Sequence, residues 1–210
     1  MFLDQILFIT FKKGIFLNDK PIFYDTDCLA SFLIIDQVSI LQKMFSKIII
    51  PTPVYDELSN ESTPVVIRNN LKSLIKTSFV EVKDMSITSR EYTAYSCMIK
   101  GFWGKKHLGK GEASVIAFAI ENDGIVASNN LSDVKEFTDK YKLPLITTAI
   151  ILAKAVETHL IDEFKANKLW EKMLEKNRNL PDDSFSNYYQ DKYKKDCDDF
   201  FLNRLNEYDF

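Results

Sequence analysis

Short apolar runs alternate with amphipathic stretches from Ile22 to Ile146, and that alternation admits few folds. Five runs read as strands: Ile22-Phe23-Tyr24, Lys47-Ile48-Ile49-Ile50, Phe79–Val82, Ile125-Val126-Ala127 and Leu145-Ile146. Each is brief, apolar throughout or rich in β-branched and aromatic residues, as buried strands of a parallel sheet are. The stretches after them read as helices: Cys28–Ile35, Val38–Phe45, Val54–Leu58, Val65–Ile75, Ser89–Lys100, Glu112–Glu121, Leu131–Tyr141, Thr147–Thr158 and Asp162–Asn177. Pro51-Thr52-Pro53 ends the second strand, because proline cannot continue a ladder, and Thr52 is the expected helix cap there. Strand and helix in alternation predict βαβ crossovers and a three-layer α/β/α domain around a central parallel sheet.

Charge narrows the function classes. The 210 residues carry a formal net charge of -3, so the chain as a whole is not a polycation built for nucleic acid. Residues 181–210 hold 8 acidic against 4 basic side chains, a local net of -4, which leaves +1 on the rest. A local basic patch on that near-neutral body is compatible with these totals. Cys28, Cys97 and Cys197 are widely spaced, with no CxxC pair and no Cys/His cluster. That argues against a disulfide framework or a zinc site and for a cytoplasmic location. The apolar N-terminus contains Asp4 and lacks a basic leader, so it does not read as a signal peptide, and no run is long enough for a membrane span.

The chemistry is carried by acids at strand exits. Asp25 ends the first strand, Glu57 follows the second, Glu112 opens a helix after a glycine-rich loop, and Asp133 lies in the first helical turn after the fourth. A buried carboxylate is costly, so Asp25 belongs at an exit that solvent or a cation can reach. In open α/β sheets that edge is where ligands bind. Carboxylates pooled there raise one another's pKa, and a bound Mg²⁺ or Mn²⁺ removes the conflict. Glu57 and Glu112 also suit helix starts simply as partners of the macrodipole. Thr26 and Ser128 are candidate supporting hydroxyls. Lys105, Lys106 and Lys110, with Phe102 and Trp103, are candidates for a small single-strand platform.

Four motifs in order, Ile22–Leu29 (IFYDTDCL), Ile48–Leu58 (IIIPTPVYDEL), Gly109–Ala119 (GKGEASVIAFA) and Ile125–Val134 (IVASNNLSDV), resemble those of the PIN-domain family. That family includes the VapC-like toxin ribonucleases. The resemblance spans about Ile22 to Ile161 and implies strand order 3-2-1-4-5 and Mg²⁺- or Mn²⁺-dependent cleavage of single-stranded RNA. It makes Asp25, Glu57, Glu112 and Asp133 the catalytic candidates, with Asp25, Glu112 and Asp133 as metal ligands. The family usually has an aspartate just after strand four. Here the residues are Ser128-Asn129-Asn130, with Asp133 one helical turn on as its substitute, and Asn129 and Asn130 as supporting amides.

The expected organisation is an N-terminal extension over residues 1–20 with a hairpin at Lys12-Lys13-Gly14, a PIN-like domain over 21–161, and a helical extension over 162–210 with an acidic end. The expected partners are RNA, a protein antitoxin and a second copy of the chain, with no membrane. The competing reading is a catalytically weakened PIN-like module that binds RNA or protein. An interaction protein docking through its aromatic C-terminus is a further reading, and a phosphatase or receiver-type domain ranks last. No G-x-G-x-x-G follows a strand, which disfavours a dinucleotide enzyme.

Overall fold

The computed structural model describes residues 20–103 and 107–202; the expected N-terminal hairpin lies outside these, as do Lys105 and Lys106. The five strands are β1 (Ile22–Tyr24), β2 (Ile48–Pro51), β3 (Val80–Lys83), β4 (Ile125–Ala127) and β5 (Leu145–Ile146). All pair in parallel, in the order β3-β2-β1-β4-β5. This is the three-layer arrangement that the alternating pattern predicts. β1 is central and wholly buried, so both its faces must be apolar, and Ile22-Phe23-Tyr24 meets that need.

The helices are α1 (Thr26–Ile34), α2 (Val38–Met44), α3 (Thr52–Ser59), α4 (Val65–Lys76), α5 (Arg90–Ile99), α6 (Lys110–Glu121), α7 (Leu131–Lys140), α8 (Thr148–Glu157), α9 (Glu163–Glu175), α10 (Phe185–Asp191) and α11 (Tyr193–Cys197), followed by a π-helical turn at Asp198–Leu202. Five starts carry a capping side chain. Asp25, Ser89, Thr147, Asp162 and Ser184 each accept a bond from the backbone amide three residues on. Thr52 is an exception to the expectation: it is the first residue of α3, after Pro51, and its hydroxyl turns to Asp84 at 3.2 Å. A proline in place of a free amide leaves less for a cap to satisfy.

α6 is a largely buried helix of the core and lies against β1, β2 and β4. Phe23 of β1 stacks on Phe118 of α6, with ring centroids 5.5 Å apart. Gly124, just before β4, permits this packing: a Cβ there would come within 2.6 Å of the Phe23 ring. α9, α10 and α11 pack on α8 through an aromatic cluster centred on Trp170, Phe185 and Tyr188. The aromatic stripe of the C-terminus is therefore core. Among the described residues no helix is long and apolar enough to cross a membrane.

Candidate active site

Asp25 is the first residue past β1 and the N-cap of α1. Its amide donates to the carbonyl of Ala127 at 2.9 Å, continuing the β1–β4 ladder by one bond. The amide of Ser128 does the same to Ile146 at 3.0 Å, so Asp25 and Ser128 leave neighbouring strands side by side. The Asp25 carboxylate is 3 % exposed. One of its oxygens accepts from the Cys28 amide at 2.7 Å and the other from the Ser128 hydroxyl. Burial pushes its pKa up to about 7; the Ser128 and Cys28 bonds pull down, and the charges of Asp27 and Glu112 push up. An aspartate of this kind sits near its ionisation point in neutral solution.

The network extends from Ser128. Its oxygen accepts from the Asn130 amide at 3.1 Å. The Asn130 side-chain nitrogen donates to Asp133 at 2.9 Å and to Glu112 at 3.2 Å, bridging two carboxylates. Ser132 bonds both the Asn130 side-chain oxygen, at 2.9 Å, and Asp133, at 3.1 Å. Thr26, next to Asp25, donates its hydroxyl to Glu57 on α3. Gly111 at the start of α6 lets Glu57 approach: a Cβ there would lie 3.2 and 3.3 Å from its two carboxylate oxygens. Asp25, Glu57, Glu112 and Asp133 thus share one rim at the carboxyl ends of β1, β2 and β4.

Sharing a rim is not yet a ligand set. Among the described residues no three His, Cys, Asp or Glu side chains are grouped so as to hold a metal ion. Each acid accepts from a neutral donor, Ser128, Thr26 or Asn130. The donor chemistry still fits a hard divalent ion: carboxylate, hydroxyl and amide oxygens, with no sulfur or imidazole. Among the described residues no lysine or arginine pairs with the buried Asp25, and a cation would offset the cost of its charge.

The two asparagines part company. Asn129 points away from the acids and fastens α8, donating to the Thr148 hydroxyl at 2.9 Å and accepting from the Thr148 amide at 2.9 Å. Asn130 alone meets the acids. Lys110 is exposed at the first position of α6, two residues from Glu112. Phe102 is 74 % exposed, whereas Trp103 packs against Tyr141 with centroids 6.1 Å apart. Only Phe102 of that pair is open to stack on a base.

Sequence reasoning did not reach Lys176 and Arg178. They follow the last turn of α9, and with Thr26 and Glu57 they line one groove. A cationic pair straddling a predicted helix end was the only signal available. A family model described as a PIN domain matches residues 21–192. No curated protein matches the chain.

Proposed function

Because the chain belongs to the PIN-domain family, whose members are generally nucleases, we propose that it is a divalent-metal-dependent endoribonuclease hydrolysing phosphodiester bonds of single-stranded RNA. One observation carries the reading: a buried Asp25, near its ionisation point, is joined through Ser128 and Asn130 to Glu112 and Asp133. Asp25, Glu112 and Asp133 are the residues that would hold Mg²⁺ or Mn²⁺. When bound, such an ion lowers the pKa of a water and steadies the charge on a phosphodiester.

The chain's own groups divide the remaining work. Ser128 holds one oxygen of the Asp25 carboxylate at the strand exit. Asn130 keeps Glu112 and Asp133 within reach of one another despite their charges. Glu57, held by Thr26, stands at the solvent side of the rim, where it can accept a proton from an attacking water. Lys110 is a phosphate contact beside Glu112, and Lys105 and Lys106, outside the described residues, are further candidate cations close to it in sequence. The test is cleavage of labelled single-stranded RNA in Mg²⁺ or Mn²⁺. Wild-type protein should cut, chelator should stop it, and Asp25→Asn should reduce it by at least about a hundredfold. No cleavage with either ion contradicts the reading.

The same chemistry suits the toxin of a toxin–antitoxin pair, held in check by a protein antitoxin. Expression of the wild type should then arrest growth, Asp25→Asn should not, and a small neighbouring reading frame should relieve the arrest. One observation favours a second reading, a weakened PIN-like module that binds RNA or protein without cutting: the amide of Asn130 stands where the family usually has an acid. That reading predicts RNA binding that persists in chelator, with no cleavage in either ion.

A further inference from the structure

A groove of about 530 Å³ opens from the rim beside Glu57. We propose that it holds the RNA strand on one side of the bond to be cut, with Arg178 and Lys176 taking its phosphates. The proposal rests on the nuclease reading and adds to it a substrate path built by the segment after α9.

Charged and apolar groups share the groove: Thr26 and Glu57, the cations Lys176 and Arg178, and an aliphatic lining from Ala30 and Ile34 of α1, Leu58 of α3 and Ile67 of α4. Its volume lies in the range of sites that enclose a small ligand, room for a base on apolar carbon. The Ser62 and Thr63 hydroxyls edge the same space, and Glu175 adds one carboxylate to the lining.

The cations arrive there by the way α9 ends. Asn177 takes a left-handed backbone, with φ 56°, and the Arg178 amide bonds back to the Met173 carbonyl at 3.0 Å. That reversal folds the chain over α1 instead of away from it. The Arg178 guanidinium then lies 3.7 Å from the Asp27 carboxylate, two residues past Asp25. Asp27 is 64 % exposed, so this pair contributes little and is readily exchanged for a phosphate. Guanidinium matches phosphate with a two-pronged donor set, and an arginine plane also stacks on a base. Two cations lining the groove that Glu57 and Thr26 of the acidic rim also line favour a polyanion over a polypeptide.

The test uses full-length protein carrying Asp25→Asn, fluorescein-labelled single-stranded RNA, and anisotropy across a salt series. Adding Lys176→Ala and Arg178→Ala should weaken binding about tenfold or more and flatten the log–log salt slope by about 1.4, the loss of two phosphate contacts on a single strand. Ser62→Trp, which fills the groove from an exposed position, should weaken binding with the slope kept. In the Asp25 protein, the double variant should raise KM with kcat retained. Unchanged affinity and slope in both variants overturns the proposal, including the case of a groove that holds a polypeptide, while cleavage by the wild type still decides the nuclease reading. Weakened binding in the variants with no cleavage by the wild type defeats the nuclease reading and keeps the groove as an RNA site.

Discussion

Ser128 donates its hydroxyl proton to the carboxylate of Asp25 across 103 residues of sequence, and the bond exists because β1 and β4 are adjacent and end in register. It ties the most buried acid of the rim to the segment that carries Asn130 and Asp133.

Asp25→Asn should stabilise the metal-free protein at neutral pH. The folded-state pKa of Asp25, about 7, lies above its ordinary 3.8, so between those values the folded state binds more protons than the unfolded. That stabilising share is fully present below pH 3.8 and is lost as pH rises to about 7. The variant should therefore match the wild type near pH 4 and exceed it by on the order of 4 kcal/mol above pH 7. Denaturant melts at a series of pH values read the difference; a constant gap would contradict the assignment to Asp25.

Ser128→Ala should cost about 1.5–3 kcal/mol at pH 8, where Asp25 is ionised and loses a charge-assisted bond. It should also move the Asp25 pKa above about 7, since the Ser128 bond now holds it down. Carbon-13 titration of the aspartate carboxyls checks both the direction and the residue.

Much of this site was legible because strand exits obey a simple rule. An apolar triplet running into Asp25 needs a place where the carboxylate can leave the sheet, and only the carboxyl edge supplies one. Which of Asn129 and Asn130 would meet the acids was not legible. Past the last ladder bond the backbone has no period of two to say which side chain turns inward, and the choice is made by Thr148 on α8, which captures Asn129. Lys176 and Arg178 were missed for a related reason: their reach depends on the left-handed turn at Asn177, a residue type that announces no particular neighbour.

Asn129 and Asn130 should separate on mutation. Asn129→Ala, which breaks two bonds to Thr148, should cost about 1–3 kcal/mol and leave Mn²⁺ affinity unchanged. Asn130→Asp adds a charge between Glu112 and Asp133; it should lower the metal-free Tm and enlarge the rise in Tm that Mn²⁺ produces. Thermal melts with and without Mn²⁺ compare the two.

Gly111→Ala should fold with little change in stability, because the neighbour it crowds is the end of an exposed Glu57 side chain. Cleavage should fall nonetheless, as Glu57 is displaced from Thr26. Retained activity would remove Glu57 from the proposed chemistry.

The most direct test is a manganese-soaked crystal with anomalous data, alongside an Asp25→Asn crystal treated identically. A metal peak bound by Asp25 together with Glu112 or Asp133, and absent from the variant, is the predicted result. Asp25 still held only by Ser128 and the Cys28 amide, with no manganese on this rim, would contradict it.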